Sequence, residues 1–261
     1  MEKIAFITGA SKGIGKELAE VFAKKGYSLI MIARNIGELE QIQSNLKNKY
    51  QCTSKILSID LTKPESIDLI MDAFKDEMSN VDVLINNAGF GVSKKFTNVP
   101  LQDITSMIEV NITALTKLTY RVLPYMMAKK SGKILNVAST AAFSPGPYMS
   151  VYYATKAYVL SFSEAIREEY RKDGITISVL CPGMTKTHFS ERAGLQETLL
   201  FSGFLPIMLA EKVANIAYKG LMKRRRIIIP GFMNKNMAFF MWFAPSWLTA
   251  KIIGILEKPK V

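Results

Sequence analysis

Tyr152 and Lys156 stand four residues apart in a stretch of helical pattern, which puts both side chains on one face of a predicted helix. A lysine ammonium beside a phenol favours the phenolate and draws its pKa down from about 10. That makes Tyr152 a proton donor or acceptor usable near neutral pH. Tyr153, three residues before Lys156, and Tyr148 compete for the same role. Ser139 follows the apolar run 132–138, at the carboxyl edge of a predicted strand, where open α/β sheets bind ligands. A hydroxyl there is suited to hydrogen-bond a substrate carbonyl oxygen.

A second constellation opens the chain. The apolar run 3–7 leads into Thr8-Gly9-Ala10-Ser11-Lys12-Gly13-Ile14-Gly15, and a helical pattern begins inside it. A strand feeding a glycine-rich turn and a helix N-terminus is an anion site, because the backbone can approach a pyrophosphate and free N–H groups face it. The spacing is Gly-x-x-x-Gly-x-Gly, not the Gly-x-Gly-x-x-Gly of the common dinucleotide fingerprint. NAD sites place an acid about 20 residues beyond the loop. Here the second apolar run ends Met31-Ile32-Ala33-Arg34-Asn35, with no acid. Arg34 can fork onto a ribose 2′-phosphate, and Lys12 lies in the loop on the same side. Both bases and the missing acid predict NADP(H) rather than NAD(H).

The elements that must position these residues alternate in type. Near-continuous apolar runs at 3–7, 28–33, 54–59, 81–86, 132–138, 175–181 and 226–229 suit parallel strands covered on both faces. Helical patterns fall between them at 13–25, 36–50, 64–79, 101–129, 152–172 and 211–223. This rhythm predicts an α/β fold: a Rossmann-type, doubly wound, seven-stranded parallel sheet in a single domain spanning 1–261. Two regions escape the rhythm. Segment 184–209 has weak periodicity and large apolar residues (Phe189, Leu195, Leu199, Leu200, Phe201, Phe204, Leu205) and is expected to be a substrate lid. The C-terminal extension 232–261 is rich in methionine and aromatics, among them Phe239, Phe240, Trp242, Phe243 and Trp247.

Composition narrows the function class. The 261 residues are 49% hydrophobic and 21% charged, with 16 Gly and 10 Pro, which excludes disordered and collagen-like chains. The net charge of +12 favours acidic partners without choosing among nucleic acid, anionic lipid and phosphorylated cofactors. No platform of interleaved aromatics and bases favours nucleic acid, so no nucleic-acid partner is expected. Cys52 and Cys181 form no metal or redox motif, which fits a reducing compartment and predicts no metal site. The apolar run at the N-terminus is stopped by Thr8-Gly9, too early for a signal peptide, and no stretch of about 20 uncharged apolar residues spans a bilayer. A cytoplasmic location is expected.

Taken together, the motifs resemble the short-chain dehydrogenase/reductase family, clearly over 3–187 and in outline beyond. The glycine motif is Gly9, Gly13, Gly15; Asp60 follows the third strand; Asn86-Asn87-Ala88-Gly89 closes the fourth; Asn111 lies within the long helix; Ser139 precedes Tyr152 by thirteen; Pro182-Gly183 and Thr187 follow the sixth strand. The longer form of the resemblance points to the bacterial branch near ketoacyl and hydroxysteroid reductases. The resemblance implies a catalytic set of Asn111, Ser139, Tyr152 and Lys156, and selects Tyr152 over Tyr153. Tyr152 would exchange the proton, Ser139 orient the oxygen, and Lys156 lower the Tyr152 pKa and hold the nicotinamide ribose. Asn111, through a local disturbance of its helix, would hold water in a relay. It implies cofactor contacts from Gly9, Ser11, Lys12, Gly13, Ile14 and Gly15 of the loop, from Arg34, Asp60 and Leu61, and from Asn87, Ala88 and Gly89. Tyr152, Lys156, Pro182, Gly183, Thr185 and Thr187 complete that set.

Around the nicotinamide, Phe90, Val92, Phe96, Phe143, Pro145, Tyr148, Met184 and Phe189 are expected to line an apolar substrate site. The charges nearby are Lys94, Lys95 and Lys186. The expected activity is NADPH-dependent reduction of a bulky apolar ketone, or the reverse oxidation, in a homo-oligomer; a catalytically idle dinucleotide sensor or scaffold is the alternative. His188, the sole histidine, is expected to be exposed, Cys181 to be buried, and 223–226 to be a solvated helix end. Asn111-Ile112-Thr113 matches a glycosylation sequon without that meaning in a cytosolic chain. The extension has two uses open to it: packing on the pocket or a second subunit, which is favoured, or peripheral membrane contact.

Overall fold

The computed structural model describes residues 3–195, 198 and 207–258. Among the described residues seven strands form one sheet, whose order across the sheet is Ser54–Ser58, Ser28–Ala33, Ile4–Thr8, Val81–Asn86, Gly132–Val137, Ile175–Leu180 and Ile227–Ile228, every neighbouring pair parallel. They are β1 Ile4–Thr8, β2 Ser28–Ala33, β3 Ser54–Ser58, β4 Val81–Asn86, β5 Gly132–Val137, β6 Ile175–Leu180 and β9 Ile227–Ile228. The central strands are buried on both faces, which is why they read as unbroken apolar runs. The edge strand β3 is only partly covered and mixes Ser and Lys with Ile and Leu.

Helices cover both faces. On one side α1 (Gly13–Lys24), α2 (Ile36–Tyr50) and α8 (Ala210–Met222) bury Leu18, Phe22, Leu39, Val213 and Leu221 against the sheet. On the other, α3 (Ser66–Ala73), α5 (Leu115–Ala128) and α6 (Ser150–Glu169) bury Ile67, Ile70, Leu118, Val122 and Ile166. The predicted helix 64–79 is shorter than its pattern. Phe74 and Met78 both turn into the core, and bonds from Glu77 N and Met78 N to Phe74 O close a tight turn where α3 ends. The predicted helix 101–129 is interrupted: α4 (Leu101–Ile108) passes into a π-helical segment, Glu109–Ala114, before α5.

Within the expected lid, β7 (Thr185–Lys186) pairs with β8 (Met208–Leu209), and α7 spans His188–Ala193. Leu199, Leu200, Phe201, Phe204 and Leu205 lie outside the described residues. The extension forms two helices, α9 (Phe232–Phe243) and α10 (Ser246–Leu256), separated by Pro245. They pack by one face only. Ala238, Thr249 and Ile253 are buried and the Trp242 ring packs at a tilt on Phe143, centroids 5.6 Å apart, while Phe239, Phe243 and Trp247 are 68%, 73% and 69% exposed. Among the described residues no helix is long and apolar enough to cross a membrane.

Candidate active site

The chain reverses direction across the sheet between β1 and β4, and a cavity of about 890 Å³ opens at the carboxyl ends of these strands. The two strand ends are pinned together. Thr8 Oγ1 accepts from the backbone N–H groups of Asn87 and Ala88, both at 3.1 Å. The Asn87 amide donates back to Thr8 O at 2.9 Å and Gly9 O at 3.1 Å. Close packing dictates the glycines here. A Cβ on Gly15 would collide with the Gly9 carbonyl oxygen and the Asn87 amide, and Gly13 adopts φ +55° with Thr187 against it. The loop backbone thus faces the cavity with nothing projecting between it and a ligand, as a pyrophosphate requires.

Just past the end of β2, Arg34 is exposed at the cavity rim. Lys12 is committed elsewhere, since its ammonium pairs with Glu38 at 2.7 Å and holds that carboxyl below its usual range. Asp60 Oδ1 accepts from Thr62 N at 3.0 Å, fixing the turn after β3.

The catalytic candidates converge from β5 and α6. The Tyr152 phenol lies within reach of the Ser139 hydroxyl, and Ser139 Oγ accepts from Ala141 N at 3.2 Å and donates to Pro182 O at 3.5 Å. Tyr153 also lines the cavity, but its hydroxyl is taken up by Glu257, to which it donates at 2.5 Å. Tyr148 does not line the cavity. The geometry therefore separates the three tyrosines in favour of Tyr152. Lys156 is buried, donates to Val137 O at 2.9 Å and lies 5.7 Å from the Tyr152 ring centroid. The expected lowering of the Tyr152 pKa is not what this arrangement gives. Burial raises it, outweighing the nearby Ser139 hydroxyl, and burial also brings Lys156 down to about 8.

Asn111 sits in the π-helical segment, 1% exposed. Its side chain accepts from Phe90 N at 3.1 Å and donates to Phe90 O and Thr155 Oγ1, both at 3.0 Å. A Cβ on Gly89 would lie 2.9 Å from Asn111 Oδ1 and 3.3 Å from Lys156 Nζ, so this glycine lets both groups approach the cavity wall.

Of the expected site residues, Gly15 and Asn111 stand behind the wall and the others line it. Several expected substrate contacts are not there. Phe96 is 59% exposed at the surface, Phe143 is taken up by Trp242, and Val92, Pro145 and Tyr148 do not reach the cavity. Phe90, Met184 and Phe189 do reach it, as does Leu195 of the expected lid, joined by Val110, Met149 and Glu257, which sequence reasoning missed. Residues so distant in the chain share no spacing signal. His188 is exposed at the rim and Cys181 is fully buried, as expected.

The model of the family described as short chain dehydrogenase matches residues 3–198. The chain belongs to that family. This short-chain dehydrogenase is 33% identical over 190 residues to an oxidoreductase of Staphylococcus epidermidis, covering 73% of this chain and 81% of that one. It is 31% identical over 241 residues to the very-long-chain 3-oxoacyl-CoA reductase of Mus musculus, covering 88% and 76%. Among solved structures it resembles a short-chain dehydrogenase from Sphingobium yanoikuyae in complex with NADPH, at 29% identity and TM-score 0.83, covering 99% of this chain and 96% of that chain. It also resembles a bulky-bulky ketone specific alcohol dehydrogenase from Comamonas testosteroni, at 27% identity and TM-score 0.78, covering 99% and 95%.

Proposed function

We propose that this short-chain dehydrogenase reduces a bulky apolar ketone with NADPH, or runs the reverse oxidation, with Tyr152 as the acid and base. The observation that carries the reading is that Tyr152, Ser139 and buried Lys156 line one cavity together, with the Lys156 ammonium 5.7 Å from the centre of the Tyr152 ring. The names of the Mus musculus and Comamonas testosteroni relatives support a carbonyl substrate, and the Sphingobium yanoikuyae complex supports NADPH.

The glycine loop, with Ser11, Ile14, Asn87, Ala88 and Gly89, would hold the dinucleotide, Asp60 and Leu61 would flank its adenine, and Pro182, Gly183, Thr185 and Thr187 would meet the nicotinamide end. Arg34 would take the 2′-phosphate, and Lys12 would join it only by leaving Glu38. When bound, the cofactor supplies hydride from its nicotinamide C4. Tyr152, its pKa raised by burial, holds its proton at rest. It donates that proton to the ketone oxygen while Ser139 hydrogen-bonds the same atom. The tyrosinate left behind gains the attraction of the Lys156 ammonium. Asn111 fixes the Phe90 loop and would anchor the water that returns a proton by way of Lys156. Met149, Phe189 and Leu195 exclude water and set the bulk that fits.

NADPH oxidation against a panel of bulky ketones, aldehydes and 3-oxoacyl thioesters tests this reading. Activity is expected with bulky ketones. Arg34→Ala is expected to weaken NADPH by about 1.5–3 kcal/mol and to leave NADH nearly untouched. No oxidation across the panel, or an unaltered cofactor preference in the variant, would count against it.

The same reading gives the exposed face of α9 and α10 to a membrane interface. From 232 to 256 the chain carries Lys235 and Lys251 and no acid, and it follows the basic run 223–226. Exposed Phe and Trp beside lysines suit an anionic interface, and such a surface would deliver apolar substrates.

A further inference from the structure

Glu257 closes the substrate end of the cavity, at the end of α10. It is 2% exposed and lines the same cavity as Tyr152 and Ser139. Its Oε1 accepts from the Tyr153 hydroxyl at 2.5 Å. Its Oε2 is buried and meets no hydrogen-bond partner. The surrounding cluster is apolar: Phe90, Met149, Leu195 and Ile253, with the rings of Tyr152 and Tyr153 6.3 Å apart. A buried carboxyl oxygen without a partner is costly, and native proteins rarely keep one without a use. The Tyr153 bond already tethers the tail, so the second oxygen is spare.

We propose that Glu257 is a substrate-binding residue whose free oxygen pairs with a hydroxyl carried by the substrate away from the carbon that is reduced. This rests on the ketone-reductase reading and narrows its substrate to a bulky hydroxyketone. The chemistry selects a hydroxyl. Burial lifts the carboxyl to about 7, so both its forms are populated near neutral pH. A hydroxyl donates to the carboxylate and accepts from the acid, whereas an ether or second ketone serves only the acid. An ammonium would need the carboxylate throughout and would itself be desolvated among apolar walls.

The test compares 2-decalone with its monohydroxy derivatives, rigid probes that place a hydroxyl at several distances from the carbonyl. Wild type is expected to prefer one derivative by at least about 10-fold in kcat/KM, mainly through KM. E257L is expected to lose that preference, and E257Q, whose amide also bonds a hydroxyl, to keep it. E257A replaces E257L if the larger side chain does not fold. Binding is read separately, as the thermal shift of the enzyme with NADP and each corresponding alcohol. Equal affinity of wild type for both series overturns the proposal, as does a preference that survives in E257L. An equal loss for both series in E257L also overturns it, because a mere tether would behave so. Failure to turn over any decalone, with the hydroxyl preference still present in binding, would count against ketone reduction and not against Glu257.

Discussion

The two ends of the cleft are built by different means. At the β1–β4 end the wall is backbone: Gly9, Gly13 and Gly15 packed without side chains, pinned by Thr8 and Asn87, all from the first 89 residues. At the other end the wall is side chains, Met149, Phe189, Leu195 and Glu257, brought together from segments more than 100 residues apart at the extremes. A ligand with a fixed shape can be held by backbone, which few substitutions can alter. A variable ligand is met by side chains on peripheral helices, which can change without disturbing the sheet. Family membership is therefore written in the first end and substrate identity in the second.

The largest effect should fall where the two ends meet. Tyr152→Phe removes the transferable proton and keeps the ring. Turnover is expected to drop by about 10²-fold or more, while NADPH affinity holds. Tyr153→Phe, whose hydroxyl faces Glu257, is expected to cost less than about 10-fold. Steady-state kinetics beside fluorescence titration of NADPH separates the two, and equal losses would remove Tyr152 from its role.

The substrate end should betray itself through pH. Burial raises the Glu257 carboxyl from 4.5 to about 7, above its unfolded value. The folded chain then holds a proton that the unfolded chain has released, so the associated stability is complete below about 4.5 and is lost as pH rises to about 7. The full span corresponds to roughly 3 kcal/mol as an upper figure. Urea unfolding between pH 5 and 8 should show wild type losing stability relative to E257Q. Parallel curves for the two proteins would contradict the burial of this acid.

The cofactor end should tolerate no added side chain at Gly15. Gly15→Ala puts a methyl group against the Gly9 carbonyl, and is expected to cost about 1–3 kcal/mol of stability together with NADPH affinity. Chemical denaturation and cofactor titration on the same variant check both. The smallest expected change lies on the outer face of the extension. Phe243→Ser, at a position 73% exposed, should alter stability by no more than about 0.5 kcal/mol. It should nevertheless reduce flotation of the protein with anionic vesicles. A large loss of stability, or a loss of dimer without any vesicle binding, would give that face to a second copy of the chain.

Local pattern made much of this molecule legible. Buried parallel strands need apolar residues on both faces, so β1, β2, β4, β5 and β6 announced themselves, and α2 fell on its predicted span of 36–50. The glycine loop, Arg34, Ser139 and the Tyr152–Lys156 pair were readable because each depends on spacing within one element or at its end. Tertiary structure decided what depends on neighbours distant in sequence. It shortened α3, because Phe74 and Met78 had to turn into the core, and it drew Lys12 to Glu38. It reversed the expected pKa shift of Tyr152, since desolvation is a property of the surrounding fold and not of a residue four positions away. It also carried Glu257 from the far end of the chain to the hydroxyl of Tyr153, a contact across 104 positions that no periodicity encodes.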